Sequence, residues 1–577
     1  MFLPTTPEEL RKKGWDRLDV LLVTGDAYID SPHIGAAVIG RLLEAAGYRV
    51  GIIAQPDMAD DTDIRRLGEP RLFWGVTGGC MDSLVANYTA QKKKRLGDDL
   101  TPGGKNNRRP DRAVIAYANW IRRCFKNTKP IVAGGVEASL RRIAHYDFWS
   151  DAVRRSILFD ARIDILAYGM AEKAVLEIAG RLNAGEHLRN IRGTCVIENE
   201  LPAGYLMLPS FEEAAAKPEA FLRMFGLFYA NQDPVTARGL VQKHTGRYLV
   251  HHRPQAPLSE AELDAVYALP FTRSVHPFYR QQGKVRAMDT IAFSITTHRG
   301  CFGECRFCSI ASHEGRTIFS RSEESILQEA RKIAAHPDFR GIITDVGGAT
   351  ANMYKIGCTR KTGQGACTDK HCLNPQPCPS LRNDHSRQIR LLSALRRIPG
   401  VKKVFVASGI RHDLLLADQR HGAAYLRELV KHHISGQLKI APEHTVPSVL
   451  KLMRKPKPEI TKAFKNLFDQ MNEEEGRNQF LTYYFIAAHP GCTEKDMREL
   501  KSFALHELHA TPQQVQIFTP LPSTWSALMY WTGIDPKTGE KIYVEKDLMK
   551  KQQQKDIATA RRKTPGIKRQ GVGAKKR

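Results

Sequence analysis

The sequence has no stretch approaching the roughly 20 uninterrupted apolar residues that a membrane span needs, so a helical membrane protein is excluded. Its first residues, MFLPTTPEELRKKGWDRLDV, contain no apolar segment of the kind a secretory signal requires. A cytoplasmic location and no membrane partner are therefore expected. In that reducing compartment, clustered cysteines serve metal or redox chemistry rather than structural disulfides. Acidic residues are scarce relative to basic ones, 61 against 87, leaving a formal net charge of +26. This balance fits RNA as a candidate polyanion partner, and it fits a solvated basic surface equally well. No appended RNA-binding module is recognisable. Aromatic residues and apolar periodicity run out near the end, where Lys550 to Arg577 carries eleven Lys and Arg against one Asp. Residues 546–577 are expected to form a disordered basic tail, dispensable for chemistry.

The 577 residues as a whole are 42% hydrophobic, enough for two or more packed domains. Residues 18–56 read as strand, loop, helix and strand, with Gly47 ending the helix. Similar units recur to about residue 195. The expected fold class is α/β, with a Rossmann-like, cobalamin-domain-like domain over 1–195. Residues 90–112 are basic and rich in Pro and Gly, and read as an exposed insertion. Residues 196–288 read as a bridging helical and loop segment. From 289 to 545 the strand–helix rhythm restarts six times, which predicts a partial (β/α)6 barrel; a closed eight-fold barrel would need two repeats that are lacking.

The first strand of that second domain leads directly into GCFGECRFCSI, Gly300 to Ile310. Cys301, Cys305 and Cys308 are spaced Cys-x3-Cys-x2-Cys. Three thiolates leave one iron of a [4Fe–4S] cluster open, as catalytic metal sites keep an open position. Gly300 and Gly303 let the backbone turn around a bulky inorganic core, and Phe307 is placed to shield it. Zinc is the alternative, with His298 or His313 as a fourth ligand. A second set, Cys358, Cys367, Cys372 and Cys378, lies in a segment rich in Gly, Pro and charge. Such a segment cannot hold itself by an apolar core, so a second metal or cluster is expected there. Cys80, Cys124 and Cys195 stand alone and read as structural.

The cysteine spacing, with an aromatic before the third cysteine at the end of a barrel strand, resembles the signature of the radical SAM superfamily. Longer words, among them NYTAQKKKR, GGVEASLRRIAHYDFWSDAVRRSIL, HRGCFGECRFCSIASHEGR, GGATANMY and APEHT, resemble the YgiQ family of radical SAM proteins. The resemblance covers roughly residues 3 to 545. It implies a [4Fe–4S] cluster on Cys301, Cys305 and Cys308 whose open iron binds S-adenosylmethionine. It further implies reductive cleavage of that sulfonium to a 5′-deoxyadenosyl radical, hydrogen abstraction from an unspecified substrate, and an electron donor such as a flavodoxin or ferredoxin. Gly347 and Gly348 match the family's glycine-rich motif for the methionine moiety, although Ala349 stands where an acidic residue is frequent. Glu443, with His444 second, matches the polar contact to the ribose. Pro490 and Gly491 match a fifth-strand turn in which Cys492 replaces a Glu. An RNA-modifying radical SAM enzyme and a non-catalytic iron–sulfur or zinc RNA-binding protein are the alternative functions.

Some radical SAM enzymes carry a cobalamin domain at the N-terminus, with the signature Asp-x-His-x-x-Gly. Here Asp30 to Gly35 reads DSPHIG, which puts His33 one residue out of register with Asp30. Cobalamin is accordingly not expected, although AGGVEAS resembles a segment lining such sites. The cluster Arg141 to Asp151, rich in polar and aromatic groups, either faces substrate or packs internally.

Overall fold

The computed structural model describes residues 1–560. Strands β1 (Val20–Thr24) and β2 (Val50–Ala54) are apolar runs in which every residue is buried, the pattern of strands covered on both faces. With β3 (Phe73–Thr77), β4 (Ile131–Gly134) and β5 (Ile165–Ala167) they form a parallel sheet in the order β2-β1-β3-β4-β5. A doubly wound sheet of this order opens its ligand crevice at the carboxyl ends of the strands.

Residues 196–288 do not form a separate bridge. β6 (Thr194–Glu198), β7 (Leu206–Met207), β8 (Leu240–His244) and β9 (Arg247–His251) extend the same sheet to nine strands, continuing β5-β6-β9-β8-β7. β6 straddles the boundary expected at 195. The strands were illegible because Gln242, His244 and His251 occupy buried positions, which breaks the apolar alternation that marks a strand.

The second domain is an open barrel. Its strands are β10 (Ser294–Thr296), β11 (Ile342–Ile343) with β12 (Asp345–Gly347), β13 (Lys403–Val404), β14 (Gln437–Glu443), β15 (Phe480–Ala487) and β16 (Gln514–Ile517). Neighbours pair in parallel in chain order, with Ile410 bridging to Ile440 between the third and fourth. Among the described residues no ladder joins β16 back to β10.

Two basic segments are more ordered than their composition implies. In the 90–112 insertion, Arg109 is buried and pairs with Asp26 at 2.6 Å and Asp98 at 3.0 Å, which pins the loop to the first sheet. After 545, a helix runs from Leu548 to Thr559 and buries Lys551, Gln554 and Ala558 on one face. Gln554 accepts from the Ala488 amide at 3.0 Å and donates to the Cys492 carbonyl at 3.3 Å. The expected disorder of 546–577 therefore does not hold through residue 560; 561–577 lie outside the described residues. A face of Lys and Gln gives no apolar period, so burial by hydrogen bonding left no signal. The Arg141–Asp151 cluster is internal packing: Tyr146 stacks on Trp531 at 5.3 Å between ring centroids, and Asp147 pairs with Arg112 at 2.6 Å. No helix among the described residues is long and apolar enough to cross a membrane.

Candidate functional site

The carboxyl ends of the first parallel sheet face the carboxyl ends of the first barrel strands across a cavity of about 620 Å³. Thr24, Thr77, Gly134 and Ala167 line one side, and Thr296 and Gly347 the other. Ser309, Ile310 and His313, directly after the third cysteine, form part of its rim. His33 joins the two domains here. Its Nε2 bonds the Ser294 carbonyl at 3.1 Å and its Nδ1 lies 3.4 Å from the Thr296 hydroxyl. Burial holds its pKa below the ordinary histidine value, as expected for a ring used neutral. Cys80, read from sequence as merely structural, also lines this cavity, with its amide on Asp26 at 2.6 Å.

The loop bearing Cys301, Cys305 and Cys308 is shaped by glycine. Gly300 has φ 87°, and a Cβ there would stand 2.1 Å from the Thr317 carbonyl. A Cβ on Gly303 would meet Arg411 Nη1 at 2.7 Å and Cys301 Sγ at 3.3 Å. Burial, and then the proximity of Cys305, pushes the Cys301 and Cys308 thiols up. Three thiols on one short loop are a set that a metal cation would hold as thiolates. Arg411, from the loop after the third strand, is buried and donates to Cys305 Sγ at 3.4 Å. Glu304, between the first two cysteines, is buried and faces His371 at 2.5 Å, Arg316 at 3.5 Å and Arg454 at 3.6 Å. Burial raises its pKa, but the hydrogen bond with His371 and then the charges of Arg316 and Lys361 hold it below the ordinary value. The zinc alternative loses one ligand: His298 Nε2 bonds the Thr350 carbonyl at 3.0 Å and its Nδ1 the Thr297 hydroxyl at 2.8 Å.

Gly347 and Gly348 both line the cavity. The Gly347 carbonyl already accepts from the Thr297 amide at 2.7 Å. A Cβ on Gly348 would stand 2.7 Å from the His298 carbonyl, so the tight packing there requires glycine. Glu443 ends β14 at φ 69°, a left-handed conformation rarely adopted by a glutamate. Burial pushes its carboxyl up to about 7, against the pull of Lys455 and Arg411. His444 turns elsewhere: its Nε2 lies 3.5 Å from Cys492 Sγ, beside Gln554. Glu443 comes beside Cys308, and Cys301 Sγ lies 3.6 Å from Thr350 Oγ1, just past Gly347 and Gly348. The cavity is lined by the two glycines, not by these three cysteines or Glu443, and His444 turns away toward Cys492. Of the second set, Cys358, Cys367, Cys372 and Cys378, the last two pack against the cysteine loop in an apolar cluster with Cys301 and Phe302, whereas the chain at Cys367 is held to the first domain by the Ala366 amide on Asp233 at 2.9 Å.

A family model described as Radical SAM N-terminal matches residues 2–294, and one described as Radical SAM superfamily matches 295–504. A UPF0313 protein of Fusobacterium nucleatum subsp. nucleatum is 54% identical over 563 residues, covering 97% of this chain and 99% of its own. The chain belongs to the UPF0313 family. This is the YgiQ family of radical SAM proteins that the motifs resemble. A second UPF0313 protein, from Thermotoga maritima, is 49% identical over 566 residues, covering 98% of this chain and 99% of its own. Among solved structures, the UPF0313 chain is similar to the cobalamin-dependent S-adenosylmethionine radical enzyme OxsB with aqua-cobalamin and S-adenosylmethionine bound. The TM-score is 0.53 at 11% identity, covering 95% of this chain and 67% of that one.

That likeness is one of fold, and it overturns the expectation against cobalamin. The two-domain α/β architecture of this UPF0313 protein, matched over 95% of its length, is that of an enzyme described with cobalamin bound. The expectation rested on His33 standing out of register with Asp30. The register of one histidine bears only on what ligates cobalt from the protein side, not on whether the fold can house the group.

Proposed function

We propose that this UPF0313 protein is a radical SAM enzyme that holds S-adenosylmethionine and its substrate at the interdomain cavity, with a corrinoid seated on the carboxyl edge of a Rossmann-like, cobalamin-domain-like first sheet. The observation that carries this reading is the cavity itself, which runs from that edge to Gly347, Gly348 and the residues flanking the cysteine loop, Arg299 and Ser309. Two glycines leave open space at this edge: a Cβ on Gly35 would meet nothing within 4 Å, and one on Gly134 would first meet the Ala167 carbonyl at 3.5 Å. A floor with such side-chain-free positions suits a broad planar ligand. Cys301, Cys305 and Cys308 would ligate the [4Fe–4S] cluster. Gly348 would offer its carbonyl to the methionine amino group, and Glu443 would meet the ribose or move a proton near neutral pH. When bound, these groups supply the electron and the cleavable sulfonium for radical chemistry, and the corrinoid a second reactive centre. His33, held by Ser294 and Thr296, would join the domains rather than ligate cobalt. The electron donor would be a flavodoxin or ferredoxin.

The test is anaerobic reconstitution followed by an assay for 5′-deoxyadenosine and a spectral titration with hydroxocobalamin. A protein with a full, reducible cluster that never cleaves S-adenosylmethionine sinks the enzymatic reading. Cleavage without any cobalamin spectrum removes the corrinoid alone. A second reading, RNA as partner, draws on one surface feature. Arg122, Arg123, Arg154, Arg155 and Arg162 line an open pocket of about 540 Å³ at the opposite end of the first sheet. Asp160 serves two of them and Asp164 a third.

A further inference from the structure

Residues 358–378, part of the connection between the second and third barrel strands, form a segment with an arrangement that its composition does not explain. None of Cys358, Cys367, Cys372 and Cys378 is exposed, while most of the residues around them are. Beyond the six-residue helix Thr359–Gln364 the segment has no regular structure, and its own buried aliphatic residues are Ala366 and Leu373. A loop that turns all four thiols inward while only Cys372, Leu373 and Cys378 join an apolar cluster needs a further source of cohesion.

The backbone brings Cys358, Cys372 and Cys378 toward one another. The Cys378 amide donates to the Cys372 carbonyl at 2.8 Å, and the Arg382 amide donates to the carbonyl of Gly357, the neighbour of Cys358, at 2.9 Å. Lys361, one turn beyond Cys358, lies beside the Cys372 thiol, as does Cys378. Among the described residues, no three sulfurs of this set lie within 4.8 Å of one another, and the same is true of Cys301, Cys305 and Cys308. A single zinc ion, with Zn–S bonds of about 2.3 Å, draws its thiolates closer than this. A polynuclear cluster interposes its own iron and sulfide and spreads them apart.

We propose that Cys358, Cys367, Cys372 and Cys378 hold a second iron–sulfur cluster, closed by four thiolates and therefore without an open iron. It staples this loop against the first cluster. The loop's His371 grips Glu304, between Cys301 and Cys305, and Lys361 Nζ donates to the Arg316 carbonyl at 2.8 Å. The staple thus fixes the geometry of the catalytic cysteine loop from behind. This site stands apart from the corrinoid and the substrate, and its test reads iron rather than turnover.

The full-length protein is reconstituted anaerobically with iron and sulfide, and its iron, acid-labile sulfide and Mössbauer spectrum are measured. Two [4Fe–4S] clusters predict about eight irons per chain. The Cys301/Cys305/Cys308→Ala variant should keep about half of that iron. The Cys372/Cys378→Ala variant should lose the other half and become open to trypsin within 358–378. A wild-type protein that fills with one cluster's iron, or that carries zinc alongside it, overturns the proposal. So does a folded Cys301/Cys305/Cys308→Ala variant without iron. Should that variant not fold, the wild-type iron count and spectrum decide alone.

Discussion

Arg411 donates from Nη1 to Cys305 Sγ at 3.4 Å, while Asp413 binds the Nε of the same guanidinium at 2.9 Å. The loop after the third strand thereby delivers a fixed, buried positive charge to the cysteine loop. A cation and N–H donor at a ligating sulfur favours the more negative, reduced state of a cluster. Arg411→Met should make the cluster's reduction potential more negative by about 50–100 mV, the equivalent of roughly 1–2 kcal/mol. Arg411→Lys should restore part of it. An EPR-monitored redox titration gives the answer, and an unchanged potential would reduce Arg411 to a packing role.

The helix Leu548–Thr559 should prove integral to the barrel. Gln554 satisfies the buried Ala488 amide and the Cys492 carbonyl, so Gln554→Ala strands both. Such a loss costs about 1–3 kcal/mol. Thermal melting of the variant should show it, and truncation after Asp547 should do more damage. A truncated protein with native melting and full iron would mean that the helix merely rests on the surface.

Lys551 on that helix gives a pH signature. Burial, then the nearby Lys92, pulls its pKa from 10.5 down to about 8. The unfolded chain then binds more protons than the folded one between about pH 8 and 10.5, so stability attributable to this group rises with pH across that window. The full effect is about 3 kcal/mol at most. The pH dependence should flatten in Lys551→Met; equal slopes for the two proteins in urea melts would show that Lys551 does not titrate in the folded state.

The arginine pocket makes a separate claim. Among the described residues Arg123 and Arg162 have no carboxylate at ion-pair distance, so they are free to meet phosphate. Arg123→Glu with Arg162→Glu should weaken RNA binding about tenfold or more at low salt and lower its salt dependence. Identical binding isotherms for variant and wild type would remove RNA from this surface.

What was legible in the sequence was local. β1 and β2 announce themselves as short apolar runs, and the cysteine loop carries its chemistry within eight residues. What was not legible depends on partners far along the chain. Arg411 reaches Cys305 across 106 positions and His371 reaches Glu304 across 67. No single-sequence pattern marks either contact. Polar residues at core positions hid β8, β9 and the last helix, because period-based reading recognises burial only where it is apolar. His33 shows the opposite error: a motif match was weighed by register, whereas the ring serves to tie β10 to the first domain.

The cavity floor offers the sharpest separation between the two ligands of the proposed site. At Gly134 the backbone is extended, with φ −155°, and a Cβ there has no neighbour nearer than 3.5 Å. A leucine should therefore be accepted by the fold and project into the space assigned to the corrinoid. Gly35→Leu should act alike, since its Cβ would meet nothing within 4 Å. At Gly348 the same reasoning reverses, because a Cβ would press to 2.7 Å on the His298 carbonyl and disturb the barrel side. Gly134→Leu should thus retain melting temperature, cluster iron and 5′-deoxyadenosine formation while losing cobalamin binding by at least tenfold. Gly348→Ala should lose S-adenosylmethionine cleavage first. Difference spectroscopy with hydroxocobalamin, run beside the cleavage assay on both variants, reads the two effects independently. Undiminished cobalamin binding by Gly134→Leu would move the corrinoid off this floor, and lost cleavage in that variant would mean that the two ligands share one compartment.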